Sequence, residues 1–488
     1  MQDTTYDVRI YKTEVRKGVK VNTYTVRWKT DRKSWKEAFR NKAQAESFIA
    51  ELRSAVNRGE AFSVRTGRPA SWSRRENAMT WYTFSLEYAA AKWPFASPNH
   101  RRGIAEALTD ATEALLTTAS GGPSRSELRA ALRGWAYSGR LQKGDTEPPE
   151  DLTHALRWLE RNTIDMAALD PEAKGPELAR AVVDRLSVKQ NGKPAASSTA
   201  IRKRVTFNNA LEYACERRIL SGNPLQRVKL HRPRTAKTLD MRVVVNPEQA
   251  SRLLDAVRRQ GKRGPRMVAF YAVMYYAALR PEEAVDLRPE HLVSLPDEGW
   301  GEMELTHAEP RSGSRWTNSG KARDRQPLKH RAEGETRPVP IHPDLVRILR
   351  EHIETFEIKP GQRLFTGPRG GIMTDRTYLG VWHDARAEAL TAAESASPLA
   401  QRPYDLRHAA LSTWLAAGVP PAQVSLWGGN SIGVLLQIYA KVIAGLAEAA
   451  KHRISEAMET DKRTLASDAG TPPEPSPEQP EGGEGKAA

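Results

Sequence analysis

Cysteine and long apolar runs are what this sequence most clearly lacks. Its 488 residues include one cysteine, Cys215, so no disulfide can form within the chain, which predicts a reducing compartment such as the cytoplasm. No run of about 18 apolar residues is present, so we expect no membrane-spanning helix. The opening stretch MQDTTYDVRIYK has no apolar core and predicts no signal peptide. No strong metal-ligand motif is present, and we expect no cofactor.

Positive charge, by contrast, is in excess. Lys and Arg number 75 against 59 Asp and Glu, which gives a formal net charge of +16. Residues 461–488 contain six acidic and three basic side chains, a net charge of −3, so the remainder of the chain carries +19. A field of this sign attracts a polyanion such as nucleic acid and speeds its encounter with the protein. The solubility of an Arg- and Ala-rich surface is the alternative explanation.

The first sixty or so residues have the pattern of a small β-rich module. Apolar and polar residues alternate through residues 5–38 at the period of β-strands, and a helix capped by Asn41 follows. Many Lys and Arg side chains lie on the three predicted strands. A basic sheet of this kind can enter the major groove of DNA, where phosphate contacts position it and side chains read base edges. A basic dimerisation or capping module is the alternative.

The middle of the chain predicts a helical domain that follows a linker-like stretch at residues 61–73. Helices are predicted at Thr80–Lys92, Ile104–Thr118, Ser126–Tyr137, Asp151–Arg161, Glu177–Leu186 and Ser197–Ile219. Next comes a basic, proline-containing stretch at residues 226–243, which is typical of an exposed linker that can follow a phosphate backbone. Residues 461–488 are rich in Pro, Glu, Gly and Ser and are predicted to be disordered.

The most informative stretch is Arg402–Tyr439. A helix near its start places Arg407 off the apolar stripe, with Tyr404 about one turn before it on the same face. Tyr439 follows a short apolar helix, Val434–Ile438. An arginine and a tyrosine presented in this way can hold a phosphate and attack it.

At three motifs the sequence resembles the tyrosine recombinases, the phage-integrase family. The first motif is Leu-Arg-x-x-Glu with a leucine seven residues after the arginine, and Arg280, Glu283 and Leu287 match it. The second is His-x-x-Arg, in which Arg407 matches and Tyr404 stands at the histidine position.

The third motif is Leu-Gly-His with a tyrosine nine residues later. Gly429 and Tyr439 match it, whereas Asn430 stands at the histidine position. These motifs cover only the C-terminal part of the chain, and the first half follows from domain architecture alone.

The resemblance implies a multidomain, mainly α fold. Its expected parts are an arm-type DNA-binding module of a small β-sheet plus a helix (1–63), a helical core-binding domain (64–225), a basic linker (226–243), a mixed, mainly α catalytic domain with a small β-sheet (244–460) and a disordered acidic tail (461–488). An amphipathic pattern at Val442–Met458 predicts a terminal helix, which in this family commonly docks on a neighbouring protomer.

The resemblance also implies catalytic roles. Arg280 and Arg407 would bind the non-bridging oxygens of a DNA phosphate, and Tyr439 would attack the phosphorus to form a 3′-phosphotyrosine. Lys329, on the hairpin before the strand at Arg337–Ile341, would protonate the leaving 5′-oxygen. Lys321 is the alternative lysine. Neither a metal nor ATP is needed, because the phosphotyrosine keeps the bond energy for rejoining.

Tyr404 and Asn430 stand at the two histidine positions of the family pattern. A tyrosine can hydrogen-bond a phosphate oxygen or steady Arg407, and an asparagine amide can donate to a phosphate, but it cannot shuttle protons. His408 lies about 100° round the helix from Arg407, so it is predicted to be a structural neighbour and not a substitute.

The function implied is site-specific recombination that integrates or excises a mobile element. The implied partners are double-stranded DNA attachment sites and a homotetramer on synapsed DNA, with a host DNA-bending factor and a directionality factor as candidates. A type IB topoisomerase and a catalytically degenerate DNA-binding relative are the alternative functions.

Overall fold

The chain forms two compact units. The first comprises Met1–Arg234 together with Gly313–Gly320, and the second comprises Thr235–Ser312 and Lys321–Ala488. The computed structural model describes residues 4–17, 22–69, 72, 79–142, 144–145, 147–230, 238–444, 450–456 and 458. The predicted acidic tail, 461–488, and residues 231–237 of the predicted linker lie outside the described residues. The mainly helical architecture with small sheets confirms the predicted fold class, while the predicted domain boundaries stay predictions.

The N-terminal part of the first unit is an antiparallel sheet with a helix packed on it. Its strands are Val8–Ile10, Glu14–Arg16, Thr23–Thr30 and Lys33–Phe39, the helix is Lys42–Asn57, and a two-stranded ladder joins Thr4–Thr5 to Phe62–Ser63. Four strands form this sheet where three were predicted, because Glu14–Arg16 is an additional strand, and both it and Val8–Ile10 pair with Thr23–Thr30. Val26 and Trp28 point into a small core, while Arg27 between them is exposed, as the strand period requires.

Helices build the rest of the first unit, and each one predicted from the sequence is present with shifted ends. The α-helices are Trp81–Lys92, Pro98–Ala114, Arg125–Ala131, Gly139–Gln142, Glu150–Asn162, Gly175–Leu186 and Ser197–Glu216, with a π-turn at Leu132–Ala136 and 3-10 turns at Met166–Leu169 and Pro224–Arg227. The second of these helices begins at Pro98, earlier than predicted, because proline suits a first helical position. Trp81, Phe84 and Phe207 pack at the centre of this core.

A segment distant in sequence, Gly313–Gly320, folds as part of the first unit. Its Trp316 is 4% exposed and belongs to the helical core. The buried Arg101 guanidinium donates to the carbonyl oxygen of Trp316 at 3.0 Å and to Asn318 Oδ1 at 2.7 Å, and it lies 4.4 Å from the ring centroid of Trp93. This placement was not anticipated from the sequence, because a single tryptophan in a polar loop has no periodic pattern.

The second unit surrounds an apolar helix, Val268–Tyr276, which is buried along nearly its whole length. Its helices are Pro247–Arg258, Val268–Tyr276, Pro281–Asp286, Pro343–Thr355, Asp375–Ala389, Ala392–Ala396, Tyr404–Ala416, Pro421–Gly428, Ile432–Ile438 and Ala440–Ala444, with 3-10 turns at Met241–Val243, Pro265–Met267 and Pro289–His291. Residues 450–456 are also helical. Within the described part of the chain, none of the helices combines the length and apolarity needed to cross a membrane.

Two small antiparallel ladders complete the second unit. The three-stranded sheet has the order Arg337–Ile341, Gly301–Leu305, Leu292–Ser294, and His307–Ala308 pairs separately with Gln326–Pro327. Arg337 is the first residue of its strand and pairs with Leu305, the last residue of the neighbouring strand. The sheet therefore brings Arg337 into the buried interior of the unit, where it is fully covered.

We expect Trp316→Ala to lower the free energy of unfolding of the first unit by about 3–5 kcal/mol, because it removes a buried aromatic side chain and leaves a cavity. Thermal unfolding measures the loss, and trypsin cleavage after Arg315 should become faster. Trp300→Ala is the control, since Trp300 is 60% exposed. Equal melting temperatures for the Trp316 variant and the unmodified protein would contradict the anchoring of this segment.

Candidate active site

A strained backbone turn delivers Arg280. The helix Val268–Tyr276 ends just before Ala278, which is fully buried and has a φ of +52°, a left-handed value unusual for alanine. Pro281 then begins a short helix, and Arg280 occupies its N-cap position. Arg280 N donates to Glu283 Oε2 at 2.8 Å, which fixes the start of this helix.

Glu283 joins two arginines in the interior. Its carboxylate accepts from Arg280 Nη1 at 2.7 Å and from both terminal nitrogens of Arg337 at 2.9 and 2.7 Å. Glu283 is 1% exposed and Arg337 is fully buried. Burial alone would raise the pKa of Glu283, but Arg337 and Arg280 outweigh it and hold this pKa well below its usual range. Glu283 is therefore ionised and fixes the direction of both guanidinium groups.

Arg407 reaches the same place from the helix Tyr404–Ala416. Its Nη1 donates to the carbonyl oxygen of Ala278, and its Nη2 donates to the carbonyl oxygen of Gly428. Burial, together with the neighbouring positive charge of Arg280, lowers the pKa of Arg407 to about 10. The guanidinium still carries its proton at pH 7, and its buried charge faces backbone carbonyls without a carboxylate of its own.

Asn430 bridges the two motif arginines. Its Oδ1 accepts from Arg280 Nη2 and from Arg407 Nη2, each at 2.9 Å. Ser425 holds the backbone of Asn430 through a hydrogen bond from its hydroxyl to the Asn430 carbonyl oxygen. Because Oδ1 is engaged with both arginines, Nδ2 is the amide atom that can donate to a ligand.

Gly429 is the residue that lets these groups approach each other. It ends the helix Pro421–Gly428 with a φ of +63°, a common glycine cap. A Cβ atom on Gly429 would lie 2.2 Å from Arg337 Nη1. Its carbonyl oxygen accepts from Arg280 Nη2 at 2.7 Å. Glycine is therefore required here both for backbone conformation and for space.

Tyr439 is buried and contacts a histidine. Its hydroxyl lies 2.8 Å from His408 Nδ1, and its side chain is 1% exposed. Burial raises the pKa of the Tyr439 phenol, while burial lowers the pKa of His408 to about 4. The Tyr404 ring packs edge-on against His408 with a centroid distance of 5.1 Å. The imidazole therefore lies between two tyrosines, and both Tyr439 and His408 are neutral near pH 7.

The prediction that His408 is a structural neighbour of Arg407 did not include its contact with the Tyr439 hydroxyl. Helix geometry gives the angle between His408 and Arg407, because both lie on one helix. Tyr439 follows a different helix, so helix geometry alone could not predict its contact with His408. The available signal was the separation of four residues between Tyr404 and His408, which places both rings on one face.

Lys329 stands apart from these residues. It is exposed in the turn that follows the strand Gln326–Pro327, and the buried Leu328 anchors the turn to the core. Lys321, the alternative, is also exposed. The structure thus unites Arg280, Arg407 and Asn430 by direct hydrogen bonds and links Tyr404 and Tyr439 through His408. For Lys329, the described residues give no contact with that group.

Among the residues that the structure describes, no set of three His, Cys, Asp or Glu side chains is arranged to hold a metal ion.

We expect Gly429→Ala to lower the free energy of unfolding of the second unit by more than about 2 kcal/mol, since a left-handed alanine alone costs about 1–2 kcal/mol and the Arg337 contact adds to it. Gly433→Ala is the matched control, because Gly433 lies in the helix Ile432–Ile438 and a Cβ atom added there would meet no neighbouring atom within 4 Å. That change should be neutral or stabilising by up to about 1 kcal/mol. Calorimetric unfolding of both variants gives the comparison, and equal effects would contradict the role assigned to Gly429.

No protein-family model matches this chain, and no curated protein matches it either. Solved structures do match at low identity. The Tn1549 transposon integrase in complex with transposon right end DNA is 17% identical, with a TM-score of 0.45 over 67% of this chain and 99% of that one. The XerH site-specific recombinase bound to its difH substrate is 13% identical, with a TM-score of 0.40 over 75% of this chain and 95% of that one. The lambda integrase bound to DNA is 10% identical, with a TM-score of 0.34 over 62% of this chain and 90% of that one. These three proteins are tyrosine recombinases, the family that the sequence motifs of this chain resemble.

Proposed function

We propose that this chain is a site-specific tyrosine recombinase, an integrase of a mobile element that cuts and rejoins DNA through a covalent 3′-phosphotyrosine. The observation that carries the proposal is an excess of buried positive charge beside a tyrosine. Arg280 and Arg337 bind one carboxylate, Glu283, and Arg407 lies beside them on backbone carbonyls, so the four groups carry a net charge of +2. Uncompensated buried charge is costly, and a phosphodiester is an anion of suitable shape to offset it.

In this mechanism Arg280 and Arg407 bind the two non-bridging oxygens of the scissile phosphate. Asn430 holds their Nη2 atoms at 2.9 Å from a common oxygen, which preorganises the pair before DNA binds. Donors fixed in this way stabilise the charge that develops in the pentacoordinate transition state without having to reorganise. The Asn430 Nδ2 donor and the Tyr404 hydroxyl are assigned supporting contacts to the same phosphate.

Tyr439 is the proposed nucleophile. Its Oη forms a bond to phosphorus as the bond from phosphorus to the 5′-oxygen breaks, which leaves the protein attached to the 3′-phosphate. Attack by the 5′-hydroxyl of a partner strand reverses the step and joins the new strands. Tyr439 is buried in this structure, so the proposal requires that DNA binding expose its hydroxyl.

Lys329 is the proposed general acid for the leaving 5′-oxygen, with Lys321 as the alternative. Its exposed position on the turn after Gln326–Pro327 is compatible with movement onto bound DNA. The proposal also includes a core-binding role for the helical domain, an arm-binding role for the N-terminal sheet, and a homotetramer on synapsed attachment sites.

The decisive experiment uses a nicked suicide substrate that carries the attachment site of the element. We expect the unmodified chain to form an SDS-resistant protein–DNA adduct, and Tyr439→Phe to form none, because the nucleophilic oxygen is absent. Tyr276→Phe is the control, since it also removes one phenolic hydroxyl from the second unit. No adduct from the unmodified chain would favour a DNA-binding relative without activity. Relaxation of supercoils without strand exchange would favour a topoisomerase.

The general acid can be tested with a 5′-bridging phosphorothiolate substrate. Its leaving thiolate is far less basic than an alkoxide, as the cysteine thiol pKa of about 8.5 illustrates, so departure needs no proton donor. We expect Lys329→Ala to slow cleavage of the ordinary substrate by about 100-fold or more and to cleave the sulfur substrate at nearly the unmodified rate. If the sulfur substrate rescued Lys321→Ala but not Lys329→Ala, Lys321 would be the general acid. Rescue of neither would contradict a lysine acid on this hairpin.

A further inference from the structure

We propose that His408 accepts the phenolic proton of Tyr439 when that oxygen attacks the DNA phosphate. The inference rests on the proposed function and adds a catalytic residue to it. Its basis is geometric, since His408 Nδ1 lies 2.8 Å from the Tyr439 hydroxyl, within the range for direct proton transfer. Nδ1 accepts this hydrogen bond when the ring proton is on Nε2.

Other candidates for the proton acceptor are engaged elsewhere. The Asp405 carboxylate accepts from the backbone nitrogen and from Nη2 of Arg402, both at 2.9 Å. Glu283 is held by two arginines, and Asn430 has no basic nitrogen. Among the described residues of this site, His408 is therefore the neutral base in contact with the Tyr439 hydroxyl.

The surroundings of His408 keep it in the form that the role requires. Burial lowers its pKa, Asp405 opposes this, and Arg407 and Arg402 add to it. Tyr404 and Tyr439 are the rings packed against the imidazole. The imidazole is therefore neutral at pH 7, and its Nδ1 lone pair can face the Tyr439 hydroxyl.

This placement of His408 gives Tyr404 a second role. The resembling family has a histidine at the position of Tyr404, whereas here the imidazole stands four residues later, one helical turn along. The tyrosine ring packs edge-on against this imidazole and limits the space in which it can turn. Tyr404 is thus a positioning residue for His408 as well as a neighbour of the arginines.

Atoms and charge balance in the proposed step. The Tyr439 O–H bond breaks and its proton moves to His408 Nδ1, while Oη bonds to phosphorus. The bond from phosphorus to the 5′-oxygen breaks, and that oxygen takes a proton from Lys329 Nζ. Cleavage leaves an imidazolium and a neutral amine, and rejoining returns both protons.

The test is single-turnover adduct formation by His408→Gln on the nicked suicide substrate. Glutamine keeps a hydrogen-bonding amide near Tyr439 but cannot take up a proton, so we expect the rate to fall by about 100-fold or more. His383→Gln is the matched control, because His383 is an exposed histidine of the same unit, with its side chain 85% accessible. A rate for His408→Gln equal to the unmodified rate would overturn the inference.

Three further readouts separate proton transfer from a structural role. The 5′-bridging sulfur substrate should not rescue His408→Gln, because the defect is at the nucleophile and not at the leaving group. A fluorinated tyrosine at position 439, whose phenol is more acidic, should narrow the gap between His408→Gln and the parent chain. The rate of the unmodified chain should fall as pH is lowered towards the His408 pKa of about 4, and this acid limb should vanish in His408→Gln. The inference would be overturned if the sulfur substrate rescued His408→Gln or if the fluorinated tyrosine left the rate difference unchanged. A fall in rate at low pH that persisted in His408→Gln would also overturn it.

The outcomes also distinguish this inference from the proposed function. If the unmodified chain forms no adduct, the proposed function fails first. If the adduct forms through Tyr439 and His408→Gln matches the parent chain, only the role of His408 fails. Should His408→Gln fail to fold, as judged by thermal unfolding, His408→Asn removes the titratable ring in the same way and takes its place in every comparison.

Discussion

The buried carboxylate of Glu283 is the interaction on which the rest of this site depends. It is 1% exposed and binds Arg280 and Arg337, which come from a short helix and from the edge of a sheet. Breaking such a pair by removing one partner costs about 3–5 kcal/mol, because it leaves a buried charge uncompensated. The pair therefore joins the helix Pro281–Asp286 to the strand Arg337–Ile341 and fixes Arg280 before any ligand is present.

Backbone carbonyls complete the arrangement without neutralising it. Arg407 donates to the carbonyl oxygens of Ala278 and Gly428, and Arg280 donates to that of Gly429. Ala278 and Gly429, two of the three residues whose carbonyls meet the arginines, have left-handed φ values, which are unusual for alanine and common for a glycine cap. A carbonyl orients a guanidinium as a carboxylate does but removes no charge. The excess of positive charge that makes a phosphate a suitable ligand follows from this choice of acceptors.

The replacements at the two histidine positions of the recombinase motifs have different physical consequences. At Asn430 an amide oxygen accepts from both arginines and reduces the repulsion between them, which a protonated imidazole could not do. At Tyr404 a ring packs against His408, and this imidazole contacts Tyr439. The substitutions thus alter how the arginines and the tyrosine are held, and a histidine remains beside the tyrosine from another position on the helix.

Local features of the chain were determined by the sequence alone. Asn41 caps the helix Lys42–Asn57 as the sequence predicted, and the apolar helix Val268–Tyr276 is buried as its composition requires. These features depend on neighbours within one turn. The pairing of Glu283 with Arg337, the contact of His408 with Tyr439 and the burial of Trp316 in the first unit were decided by tertiary structure. Each joins residues distant along the chain, and helical or strand periodicity tells which face a side chain occupies but not which element packs against that face.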